Sequence, residues 1–138
     1  MPGEHPDEVW SLLVRAVIDS RSDWRRAVAE RTGLPFSRLR VLRRLDRFGP
    51  LTLKQLAAAA DIDPPAATVA VNDLVDRGYV RRTVALEDRR AKVVTITDSG
   101  RARVRAMLAV EDPAPAAIRS LPPRELARLA DLARALGG

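Results

Sequence analysis

From Leu51 to Thr97 the sequence reads helix, turn, helix, strand, charged loop, strand, and few folds accommodate that order. Thr52 and Gln55 have the spacing of a capping box, in which each side chain satisfies a free backbone N–H. They open a helix that turns Leu53, Leu56 and Ala57 inward and ends at Asp61. Asp63 then caps a second helix with Pro64 at its first position. That helix carries Ala67, Val71, Leu74 and Val75 on its apolar side. It stops at Gly78, a residue free to take the left-handed conformation. Asp61 and Ile62 leave only a tight link between the two. Tyr79 to Val84 reads as a strand, and Lys92 to Ile96 as another, rich in β-branched residues. The segment between them, Ala85 to Ala91, is charged.

The flanking segments are helical. From Asp7, a candidate cap, to about Arg31, apolar residues recur at three- and four-residue steps: Val9, Leu13, Ala16, Val17, Trp24, Ala27 and Val28. One long helix is expected there. Another runs from about Pro35 to Arg47 with Leu39, Leu42 and Leu45 buried, and Gly49-Pro50 ends it. Thr97-Asp98 caps a helix with Val104, Met107 and Leu108 apolar, broken by Pro113 and Pro115. A last helix starts near Pro123, with Leu126, Leu129, Leu132 and Leu136 on one face. The fold class is mainly α with a small β-hairpin wing, a winged helix-turn-helix with terminal dimerisation helices. The expected units are an N-terminal helix over 1–33, a winged domain over 34–97 and C-terminal helices over 98–138, forming one structural body.

Charge points to an anionic partner. Lys and Arg total 24 against 18 Asp and Glu, a formal charge of +6, which suits nucleic acid first and a membrane surface second. Lys occurs only at Lys54 and Lys92, so nearly all the positive charge is Arg. The chain has no Cys, which excludes disulfides, thiolate metal sites and Cys nucleophiles. Its one His is His5, so a His-based metal site or catalytic triad has almost nothing to use. No cofactor, no metal and no enzyme activity are expected. No apolar run approaches the roughly 18 residues a membrane span needs. The first residues, MPGEHPDE, lack the basic-then-apolar order of a signal peptide. The expected location is the cytoplasm.

Four segments resemble the MarR family of bacterial regulators: LRVLRRL (Leu39–Leu45), LTLKQLAAAADI (Leu51–Ile62), NDLVDRGYVRR (Asn72–Arg82) and DRRAKVVTITDSG (Asp88–Gly100). The last is the most specific, with an Asp-Arg-Arg wing tip, an alternating strand, then Thr at a helix cap and Gly three residues on. The resemblance covers Leu34 to Gly100, about half the chain. It implies homodimerisation through the terminal helices and binding to a pseudo-palindromic double-stranded DNA operator. It also implies release by a small aromatic or phenolic effector.

Residue by residue, Arg90 matches the wing arginine that enters the minor groove, where narrow A·T-rich stretches have strong negative potential. Asp88 matches the acidic residue that braces the wing. The recognition helix departs from the family, which presents Ser or Thr near its start and Arg one turn in. Here Pro65, Ala66 and Val69 stand there, and only Thr68 and Asn72 are neutral and polar. Such a helix leans on thymine methyls and groove shape rather than on guanine-reading arginines. Phosphate contacts then fall to Lys54, Arg38, Arg40, Arg77, Arg81, Arg82 and Arg89, with Thr52 offering a hydroxyl. Trp24, Phe36 and Arg40 are the candidate effector-binding residues, an aromatic wall plus a cation for an aromatic carboxylate. The function expected is a ligand-responsive homodimeric repressor. The alternative is a winged-helix protein-interaction module that has lost DNA readout.

Overall fold

The computed structural model describes residues 3–84 and 92–137. In chain order these form α1 (Pro6–Ser20), α2 (Ser22–Thr32), α3 (Phe36–Phe48), β1 (Leu51–Thr52), α4 (Leu53–Ala60), α5 (Pro64–Asp76), β2 (Val80–Val84), β3 (Lys92–Ile96), α6 (Asp98–Leu108), α7 (Ala116–Arg119) and α8 (Pro123–Gly137).

The core gathers round α3. Leu39, Val41, Leu42 and Leu45 are all buried, so α3 is enclosed on more than one side. They pack with Leu56 and Ala60 of α4, Ala70, Val71 and Leu74 of α5, Val104 and Met107 of α6, and Val28 of α2. Aliphatic and alanine side chains suit such close helix packing, and the chain's low aromatic content follows from it.

The sheet closes one end of this core. Its strands lie in the order β1-β3-β2, all antiparallel, with Val80 opposite Ile96 and Arg82 opposite Val94. Val80, Val94 and Ile96 are buried while Arg81 and Arg82 are exposed. β1 is not expected from the sequence. Two residues are too few to show alternation, and Leu51 and Thr52 become a strand only because β3 offers Val94 and Val93 as partners.

Thr97 joins sheet to helix. Its hydroxyl donates to the Gly78 carbonyl at 2.7 Å and accepts from the Gly100 N–H at 3.1 Å. Gly78 takes φ +78°, and Gly100 sits where a Cβ would fall 2.2 Å from the Tyr79 carbonyl oxygen. The Thr-x-x-Gly spacing thus records a close backbone approach.

Two expectations are corrected, and two details are added. The single N-terminal helix is two, divided at Arg21. The Ser20 hydroxyl donates to the carbonyls of Ala16 and Val17, competing with the helical ladder at that point. His5, not Asp7, caps α1, its Nδ1 accepting from the Asp7 N–H at 3.3 Å. Leu108, the last residue of α6, is 61% exposed. A short helix, α7, also stands between Pro115 and Ser120. Neither α1 nor α8 has a buried residue, although both carry a row of large apolar side chains.

Candidate nucleic-acid interface

The pair α4 and α5 is held by caps at both ends of its turn. Thr52 and Gln55 form the reciprocal capping box at the start of α4. Asp61 takes a left-handed conformation, φ 53° and ψ 51°, which a short polar side chain tolerates. The Ile62 N–H then returns to the Ala57 carbonyl at 3.0 Å. Asp63 accepts from the Ala66 N–H at 2.7 Å, and Pro64 supplies the preset φ of the first helical position. These local bonds set the direction in which α5 leaves the turn.

Ala67, Ala70, Val71 and Leu74 fix the inner face of α5. The outer face presents Pro65, Thr68, Val69, Asn72 and Asp76, one exposed stripe at three- and four-residue steps. Ala66 is exposed beside it and also borders the cleft between α3 and α5. The Thr68 hydroxyl donates to the Pro64 carbonyl at 3.1 Å. Asn72 Oδ1 accepts from Arg82 Nη2, which ties α5 to β2. No positively charged side chain lies on this stripe before its last turn.

Asp73 turns inward instead. Its Oδ2 accepts from Arg38 Nε at 2.9 Å and its Oδ1 from Arg77 Nε at 3.0 Å. Hydrogen bonds from Arg38 and then Arg77 hold the carboxyl below its ordinary pKa, against the opposing effect of burial. Arg38 and Arg77, phosphate candidates by sequence, are thereby committed to an internal partner. Lys54, Arg81 and Arg82 remain exposed, Arg40 is half-buried, and Thr52 is occupied by its cap. Arg90, Arg89 and Asp88 lie outside the described residues.

Trp24, Phe36 and Arg40 do not line one cavity. Trp24 meets Phe36 edge-on, with ring centroids 5.5 Å apart. Phe36 and Arg40 line a cleft of about 300 Å³ between α3 and α5, with Arg25, Arg38, Ile62 and Ala70. Trp24 lines another of about 480 Å³, beside Asp19, Asp23, Asp112 and Pro113. Arg21 stacks over Trp24 at 3.9 Å and pairs with Asp112. The sequence reading missed Arg25, whose guanidinium lies 4.9 Å over the Phe36 ring. It also missed both arginine partners of Asp73. Asp73 and Arg77 had a readable signal, their four-residue spacing on one helix. Among the described residues, no three His, Asp or Glu side chains are grouped to hold a metal ion.

Known proteins share this fold. The model of the MarR family matches residues 32–91. The uncharacterised HTH-type transcriptional regulator YwhA of Bacillus subtilis is 32% identical over 68 residues, 49% of each chain. Over residues 32–91 the chain is thus similar to the MarR family. The chain spans about half the length of that curated relative in the match. Solved MarR-like folds extend the likeness. The structure of BpsR from Bordetella bronchiseptica, described in terms of regulation of its DNA binding by 6-hydroxynicotinic acid, has a TM-score of 0.66 at 24% identity, covering 99% of this chain and 98% of that one. A point mutant of MepR from S. aureus, bound to an oligodeoxyribonucleotide, has a TM-score of 0.63 at 21% identity, covering 93% and 96%. At these identities the likeness is one of fold.

Proposed function

We propose that this chain is a DNA-binding transcriptional regulator that acts as a homodimeric, effector-responsive repressor. The observation that carries the reading is the placement of α5. Its caps and buried face hold it rigidly, and its outer stripe is left open, the geometry needed to enter a major groove. Exposed Arg81, Arg82 and Lys54 flank it to meet phosphates, and Arg90 at the wing supplies the minor-groove contact. The MarR-family match and the oligonucleotide-bound MepR neighbour support it.

Homodimerisation is supported by α1 and α8. Trp10, Leu12, Val17, Ile18, Leu132 and Leu136 are all more than half exposed, an apolar area that a second copy would cover. The residues 1–33 and 98–138 would then form the dimer body on either side of the winged domain, 34–97. The cleft between α3 and α5 suits a small aromatic carboxylate, with an aromatic wall at Phe36 and cations at Arg25 and Arg40. BpsR and 6-hydroxynicotinic acid lend that class support.

The test is duplex binding as a function of salt. Fluorescence anisotropy with a labelled duplex from the region flanking the gene should saturate, and log K should fall by about 0.9 per phosphate contact for each decade of salt. Absence of saturable binding to any duplex at about 50 mM salt, where phosphate contacts are strong, overturns the reading in favour of a protein-interaction module.

A further inference from the structure

We propose that α5 reads thymine, and that Val69 is the residue through which it does so. The inference rests on the DNA-binding reading above and deepens it from duplex DNA to a specified base chemistry.

Each base presents a distinct pattern in the major groove. Guanine offers two acceptors and is read by Arg or Lys. Adenine is read by an Asn or Gln that donates and accepts at once. Cytosine offers a donor and is read by a carboxylate. Thymine offers a C5-methyl group beside the O4 acceptor. The outward stripe of α5 can be held against that code residue by residue.

Val69 lies at the centre of the stripe and is 60% exposed. Thr68 spends its hydroxyl proton on the Pro64 carbonyl, so it keeps no donor for a base and leaves its methyl as outward chemistry. Asn72 has its Oδ1 turned to Arg82 on β2, so the edge it can present is Nδ2, a pair of donors. That takes from Asn72 the two-way geometry adenine needs and leaves a donor suited to O4. Guanine loses its usual reader, because no Arg or Lys stands on the stripe before its last turn. Asp76, one turn beyond Asn72, is acidic and exposed. It disfavours phosphate, and recognition helices meet bases through their N-terminal residues, so the contact falls on Pro65 to Asn72. Two methyl-bearing side chains followed by one donor are complementary to methyl, methyl and O4.

The test uses the full chain and a randomised duplex pool from which bound sequences are selected. The selected duplex is then remade with deoxyuridine in place of thymidine in its half-sites, which removes only the C5-methyl. Affinity should fall about four-fold for each contacted methyl, the factor for about 0.8 kcal/mol of apolar burial. Val69→Ala leaves the fold intact, since Val69 packs on nothing in the core, and it should shrink that deoxyuridine penalty in a double-mutant cycle. A selected duplex that binds equally well with deoxyuridine overturns thymine reading and leaves DNA binding standing. A penalty that persists unchanged in Val69→Ala overturns the assignment to Val69. A pool that yields no bound sequence overturns the DNA-binding reading and thymine reading together.

Discussion

Asp73 on α5 and Arg38 on α3 form an ion pair at 2.9 Å across 35 residues of chain. The same carboxylate holds Arg77 at 3.0 Å, so one acid fastens the C-terminal half of α5 to α3 behind it. Both Asp73 and Arg38 are about a quarter to a third exposed, which places the pair between a screened surface bridge and a buried one. Asp73→Asn should cost about 1 kcal/mol, lowering Tm by about 4 °C. Differential scanning calorimetry checks it, and an unchanged Tm removes the pair from the stability of the domain.

The same pair gives a pH dependence of known sign. The folded-state pKa of Asp73 lies below its ordinary 3.8. Its contribution is therefore complete above about pH 5 and is lost as pH falls through the depressed folded value. The stability gap between the wild type and Asp73→Asn should stay constant from pH 8 to 5 and close below pH 4. Urea midpoints measured across that range test it, and a gap that widens in acid has the wrong sign.

Gly100→Ala should be severe. The added Cβ would lie 2.2 Å from the Tyr79 carbonyl oxygen and 2.8 Å from Ile96 Cγ1. The first of these is backbone, so the strand end must move away from the start of α6. A cost of about 3 kcal/mol is expected, at the upper end for overpacking. Gly3→Ala, which meets nothing within 4 Å, is the control for urea denaturation.

Val17→Asp should separate the two copies of the proposed dimer. Val17 is exposed in the single chain, so the substitution spares the folded protomer. Sedimentation equilibrium should then give 15.2 kDa in place of twice that, with the far-ultraviolet dichroism retained. A dimer that survives the charge relocates the interface away from α1.

Arg90→Ala should weaken operator binding by about 1–3 kcal/mol, the order of one specific contact. Equal affinity for wild type and variant would take the wing arginine out of the mechanism.

Arg40→Ala tests the cleft. Benzoate at 100 times its Kd should stabilise the wild type by about 2.7 kcal/mol, read as a rise in Tm, and much less in Arg40→Ala. Equal stabilisation of both proteins would place the ligand elsewhere.

The helix pair and hairpin were legible because their determinants are local. Thr52, Gln55, Asp63, Pro64 and Gly78 each act on backbone within a few residues, and each acts in the structure as its spacing implies. β3 was read to the residue, Lys92–Ile96. The break at Arg21 was not, because apolar periodicity runs through it; there the Arg21 N–H turns to the Ile18 carbonyl and the Ser20 hydroxyl bonds back to Ala16 and Val17.

The site divides in the same way. By itself the sequence determined that α5 would be capped at Asp63, free of Arg and Lys along its exposed stripe and followed by a basic strand. Those properties depend on residue type at helical and strand spacing. Only the tertiary structure decided which arginines are held by a neighbour, and by which one. Arg38 and Arg77 converge on Asp73, Arg82 reaches Asn72, and Arg25 covers Phe36. An arginine is long enough to serve a phosphate or a neighbour equally well. The choice falls to whichever carboxylate, amide or ring the packing of α3 against α5 brings within reach.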